Sequence, residues 1–231
     1  MMSTRQDIIY EDRRDAGRRI AEILVKRKYH NHTLIVFGIP RGGLVVADEV
    51  SEAMSASMDV IIVRKLRAPY QPELGIGALV DGDDICIINE ELVRAVGVPQ
   101  DYLNREIACQ RDEVERRLRL YRGDRPALDV TGKTLLVIDD GIATGYTFRA
   151  ALEGLRRRNP ARLIAAAPAA ARSSVDMLSA FADEMIFPSI PENFISVGTW
   201  YRNFDQVSDE EAVAILHRNW AKFKPQKPMH D

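Results

Sequence analysis

Apolar positions recur at two different periods along the chain, and their alternation predicts the fold. Over 12–28, Ala16, Ile20, Ile23 and Leu24 fall at helical spacing. Short, mostly apolar runs follow at 33–39, 58–63, 134–138, 163–167 and 184–187. A run of that length without polar alternation suits a strand buried on both faces, as in a parallel sheet covered by helices. Helical patterns are predicted between these runs: from 42 to about 53, over 146–158 and 174–181, and over 209–219 at the end. Residues 78–88 read as a hairpin turning at Asp81-Gly82-Asp83. The stretch 66–77 holds two prolines and two glycines and reads as a loop. Asn89 can cap a short helix, and Pro99 opens a longer one to 121. That longer helix is very polar (Arg105, Glu106, Arg111, Asp112, Glu113, Glu115, Arg116, Arg117), as a solvated face laced with ion pairs would be. The first residues read as frayed and the lysine- and proline-bearing tail as disordered.

Strands alternating with helices imply the α/β class: a mostly parallel twisted sheet with helices on both faces. The expectation is a single domain with its core at about 33–190, a helical insertion at about 89–122 and a small hood at about 188–220. Right-handed crossovers place the ends of the runs 33–39, 58–63 and 134–138 along one sheet edge, where open α/β folds bind ligands.

Composition narrows the classes. A length of 231 residues fits one decorated domain, and 46% apolar residues suffice for a core. A formal net charge of −2 gives no electrostatic case for a nucleic-acid partner. With no secretory n-region and no 18-residue apolar stretch, the expectation is a cytoplasmic protein away from membranes. Cys86 and Cys109 read as unpaired thiols suited to that compartment. His30, His32, His217 and His230 show no metal-ligand spacing with them.

The chemistry concentrates at 134–147, TLLVIDDGIATGYT. An apolar strand ends in two carboxylates, Asp139 and Asp140, and a small-residue turn leads into a helix. Free backbone N–H groups and the helix dipole at such a turn favour a phosphate. Two acids beside an anion make sense if the ligand also carries hydroxyls or a metal ion. Singly, each part has a plainer reading: a solvated strand end, or a threonine N-cap at Thr144 or Thr147. Pro40-Arg41-Gly42-Gly43 after the first run is a turn signal, and Arg64-Lys65 after the second is a basic pair; both fall on the same expected edge. No GxxxxGK[ST] is present, so a P-loop is excluded. A receiver-like phosphoacceptor at Asp139 is disfavoured by the threonine-bearing turn and by the missing acid pair after the first strand.

The D-D-x-x-A-T-G-x-T pattern, filled by Asp139, Asp140, Ala143, Thr144, Gly145 and Thr147, resembles the phosphoribosyl pyrophosphate motif of type I phosphoribosyltransferases. IPRGG, VRKL, ELGIGAL and VGTWYRNFDQVSDEE resemble a bacterial subfamily of predicted phosphoribosyltransferases, so the likeness runs from about 33 to 211. It implies a magnesium-dependent pentosyltransferase of nucleotide metabolism that moves a phosphoribosyl group to a nitrogen of a nucleobase or amine and releases pyrophosphate. Asp139 and Asp140 would hold the ribose hydroxyls and magnesium. Gly141, Ile142, Ala143, Thr144, Gly145 and Thr147 would cradle the 5′-phosphate. Arg41, Gly42 and Gly43 would form the pyrophosphate loop, with Arg64 and Lys65 adding charge. Asp139, Asp140, Lys65 and Arg41 would carry the catalysis. The stretch 66–77 would be a lid with Arg67 as a cation, and Phe194, Trp200 and Tyr201 would stack on the acceptor or serve as core aromatics. Many 6-oxopurine enzymes of the family carry an aspartate where Ala143 stands, which weakens a hypoxanthine–guanine acceptor and leaves adenine, orotate, uracil or an amine. A non-catalytic regulator binding phosphoribosyl pyrophosphate or a nucleotide is the second reading, and homodimerisation stays open.

Overall fold

The structure is a computed structural model that describes residues 9–27, 29, 33–81 and 85–223. Helix α1 (Arg13–Lys26) leads to β1 (Leu34–Gly38), α2 (Gly42–Met54) and β2 (Ser57–Val60). Then come β3 (Val63–Ala68), β4 (Gln71–Val80), β5 (Ile85–Ile88), α3 (Glu90–Val96) and α4 (Gln100–Arg122). The chain returns as β6 (Thr134–Ile138), α5 (Tyr146–Arg156), β7 (Arg162–Ala166), α6 (Arg172–Leu178) and β8 (Glu184–Ile186), ending in α7 (Asp209–Lys222).

Five strands in the order β2-β1-β6-β7-β8 pair in parallel throughout. Alternate residues of β1 serve opposite layers. Leu34 and Val36 pack with Ile20, Leu24 and the apolar sides of α2 and α7. Ile35 and Phe37 pack with Phe148, Leu152 and Leu155 of α5 and Val175 and Leu178 of α6. Both faces of the strand are dry, which is why its sequence runs apolar without alternation.

The second sheet, β3-β4-β5, is antiparallel. Here the loop expected over 66–77 is corrected: β3 and β4 form a hairpin whose tip is Pro69-Tyr70, with Tyr70 at φ +64 and fully exposed. Pro72 sits just past the tip, opposite the register shift between Arg67 and Ala68, where a missing N–H donor is tolerated. The single strand expected over 58–63 divides between the two sheets. Arg122, at the end of α4, sits at this division. Its Nε donates to Asp59 Oδ1 (3.2 Å), and its Nη2 donates to Val60 O (3.0 Å) and Asp81 Oδ2 (3.1 Å). The polar outer face of α4 carries the expected ion pairs, Glu113 with Arg116 and Arg117 at 2.7 Å each. Both cysteines are free. Among the described residues no helix is long and apolar enough to cross a membrane. The frayed start, the tail, and Gly82 and Asp83 of the hairpin turn lie outside the described residues.

Candidate functional site

Two strand ends and two helix starts build the site. The Ile39 N–H donates to Ile138 O (2.9 Å), which holds the ends of β1 and β6 side by side. After β1 the chain turns through Pro40-Arg41, joined by a cis peptide, into α2. After β6 it passes Asp139 and Asp140 and enters α5. The glycines after Arg41 are demanded by close approach. A methyl group on Gly42 would overlap Asp140 Oδ2, and one on Gly43 would lie 2.7 Å from Ile138 O and 2.9 Å from Asp139 Cα. The turn and the acids, far apart in sequence, are therefore in direct contact.

The two acids are held differently. Asp139 Oδ1 accepts from the Asp140 N–H (2.9 Å). Burial, and then the neighbouring Asp140 carboxylate, push the Asp139 carboxyl well above the usual carboxylate range. Asp140 Oδ2 accepts from Arg13 Nε at 2.7 Å, and its carbonyl accepts from the Tyr201 hydroxyl at 2.5 Å. A cleft of about 360 Å³ opens over this corner, lined by Arg13, Arg41, Gly42, Asp139, Asp140 and Phe204 among others.

The turn beyond the acids is open. Gly145, at φ +74, is the N-cap of α5 and supplies no side-chain cap, so neither Thr144 nor Thr147 caps the helix. Ala143, Thr144 and Thr147 are exposed, and neither threonine hydroxyl has a partner among the described residues. No backbone carbonyl there accepts from the N–H groups of Ala143, Thr144, Tyr146 or Thr147. Beneath them the Ile142 N–H donates to Ala169 O (2.9 Å), and Ser174 Oγ donates to Ala143 O (2.5 Å). A buttressed turn with idle donors at the positive end of an eleven-residue helix suits a phosphate.

The phosphoribosyl transferase domain family matches residues 6–201. The chain belongs to this family. It is 36% identical over 217 residues to the Mycobacterium tuberculosis protein named "Putative phosphoribosyl transferase", in strains H37Rv and CDC 1551 alike. That match covers 93% of this chain and 48% of the relative, so the chain spans about half the length of the curated relatives it matches. The crystal structure of TT1426 from Thermus thermophilus superposes with a TM-score of 0.80 at 38% identity, covering 91% of this chain and 99% of that one.

Within this phosphoribosyl transferase domain some expected site residues stand apart from the cleft. Arg64 and Lys65 lie on β3, past the end of β2, and neither lines the cleft. Arg64 Nε donates to Gln110 Oε1 on α4 (3.0 Å), and Lys65 Nζ donates to Glu73 O on β4 (3.0 Å). Arg41 does line it, with Nη1 4.0 Å from Asp209 Oδ1. Of the two roles open to Trp200 and Tyr201, their packing fits that of core aromatics. They are buried at 6% exposure in a small core with Tyr10, and Phe194 stacks on Trp200 at 6.0 Å. The aromatic ring that does reach the cleft is Phe204, 38% exposed and stacked on Tyr201 at 5.1 Å.

Arg13 and Phe204 are the residues that sequence reasoning passed over. Arg13 belongs to a helix start crowded with arginines, and its apolar spacing marks the core face without marking which cation turns to the site. Phe204 was visible as the aromatic closing WYRNF. Magnesium held by the acid pair itself fits poorly. Asp140 Oδ2 is engaged by Arg13, and burial and the neighbouring carboxylate raise the Asp139 carboxyl.

Proposed function

We propose that the domain binds phosphoribosyl pyrophosphate, with the ribose hydroxyls on Asp139 and Asp140 and the 5′-phosphate on the turn 143–147. It transfers the phosphoribosyl group to a nitrogen of a nucleobase or small amine. One observation carries this reading: an acid pair and a turn of idle donors share one strand end, with the Arg41-Gly42-Gly43 turn packed directly on the acids. In the reaction the bond from ribose C1 to the pyrophosphate oxygen breaks, and a bond from the acceptor nitrogen to C1 forms. The nitrogen gives up its proton, and the electron pair leaves with pyrophosphate. No covalent nucleophile is required; the chain's work is to position the sugar and to neutralise the leaving anion. Arg41 and the start of α2 face that side. Magnesium is assigned to the substrate, carried on its phosphate oxygens with most of its waters, rather than to a protein cage.

The test is a pyrophosphate-release screen with phosphoribosyl pyrophosphate and magnesium across nucleobases and small amines. Release that depends on one acceptor is the expected result. Tight binding without release for any acceptor would favour the regulator reading, to which the engagement of Arg64 and Lys65 away from the cleft lends support. Absence of binding would overturn both.

A further inference from the structure

Four arginines crowd α1, and one of them behaves differently. The side chains of Arg14, Arg18 and Arg19 are 40%, 56% and 44% exposed and pair with Asp48, Glu49 and Asp15. Arg13 is 11% exposed and pairs with Asp140, itself 14% exposed. Little water or salt screens such a pair. The guanidinium is fixed on several sides. Nη1 donates to Asp205 O (2.7 Å), and the Phe204 ring lies 3.8 Å from Cζ with the Tyr201 ring at 5.9 Å. The Gly42 position leaves no room for a methyl beside Nε.

We propose that Arg13 is the positioning residue of the ribose subsite, acting through Asp140. The assignment rests on the ribose reading of the acid pair given above. Neighbouring carboxylates repel and rotate apart when both are charged, so a hydroxyl-binding pair needs one member fixed from outside. Arg13, itself at the cleft wall, takes Oδ2 of Asp140, and Tyr201 takes its carbonyl. The carboxylate's remaining capacity is thereby oriented within the cleft. Anchoring of α1 does not account for the pair. The Tyr10 N–H already donates to Trp200 O (2.8 Å), Asp12 caps the helix, and Ile20 and Leu24 are fully buried. Arginine suits the place because its planar fork serves the carboxylate and the Asp205 carbonyl together while stacking on Phe204.

The experiment is a double-mutant cycle read by calorimetry with phosphoribosyl pyrophosphate and magnesium, extended to millimolar ligand. Its members are the wild type, Arg13→Gln, Asp140→Asn and the double variant, with thermal unfolding of each as a check on folding. Arg13→Gln is expected to weaken binding at least tenfold in the wild-type background and less than twofold in the Asp140→Asn background. Arg13→Lys keeps the charge but loses the fork; it guards against a folding defect in the glutamine variant and is expected to bind with intermediate affinity. An equal loss in both backgrounds, or wild-type affinity in Arg13→Gln, would overturn the role of Arg13 and leave the ribose reading standing. A wild-type protein that does not bind the ligand overturns the ribose reading itself.

Discussion

Two aspartates meet arginine in two places among the described residues, with opposite outcomes: Asp59 and Asp81 meet Arg122 and Arg158, and Asp140, beside Asp139, meets Arg13. In the joint between the sheets, Arg122, Asp59 and Asp81 are 8%, 1% and 1% exposed, and their polar groups are taken up. Asp59 also accepts from the Val60 N–H (2.8 Å), Asp81 from the Ile62 N–H (3.1 Å), and Arg122 donates to Val60 O. At the cleft, Arg13, Asp140 and Asp139 face an open space, and the turn with idle donors that starts α5 follows the acids along the chain. The same side chains build architecture where the carboxylates are held from several sides, and a binding site where capacity is left over. Composition does not separate the two; the surroundings do.

Breaking the closed cluster is expected to have the largest effect. Arg122→Met would leave buried Asp59 without its cation and Asp81 with Arg158 alone, and cost about 3–5 kcal/mol of stability, measured by urea unfolding. Ligand affinity per folded molecule should be unchanged, and a loss well under this range would mean that water reaches the joint. The matching change in the open cluster, Asp139→Asn with Asp140→Asn, should reverse the pattern. Binding of phosphoribosyl pyrophosphate should fall below detection in calorimetry, while the unfolding free energy changes less than in Arg122→Met, because relief of the repulsion between the acids offsets the loss of the Arg13–Asp140 pair. Undiminished affinity would refute the role of the pair. Thr144→Val sharpens the comparison by removing one idle hydroxyl, and should weaken affinity by about 1–3 kcal/mol with no change in melting temperature.

The smallest effect belongs to a charged group of the third kind, exposed on α4. Arg116 and then Arg117 draw Glu113 down to about 2 through hydrogen bonds. A folded value below the unfolded one stabilises the protein above the ordinary glutamate range, and the contribution is lost as pH falls toward 2. Solvent screening limits it, so Glu113→Gln should cost less than about 1 kcal/mol at neutral pH. The difference from wild type should vanish in acid; an unchanged difference at low pH would show that the pair is not its source.

The parts of this picture legible in the sequence were those set by local rules. The parallel strands were visible because burial on both faces removes alternation, and the acid-threonine turn because every element of it is contiguous. The hairpin of β3 and β4 was hidden because proline and glycine counts over 66–77 read as a loop, whereas Pro69 marks only its tip. Arg64 and Lys65 lie within β3 instead of just past the expected strand, because that strand ends at Val60, where Arg122, remote in sequence, ties β2 to the neighbouring sheet. Arg13 was invisible for the same reason: its significance lies in a contact with Asp140 that no local pattern encodes.

A crystal structure of the protein soaked with phosphoribosyl pyrophosphate tests the central claim most directly. The account predicts ribose hydroxyls within hydrogen-bond distance of Asp139 and Asp140, and the 5′-phosphate on the N–H groups and hydroxyls of Thr144 and Thr147. A sugar bound elsewhere, or a phosphate lying away from that turn while the acids keep only their present partners, would contradict it.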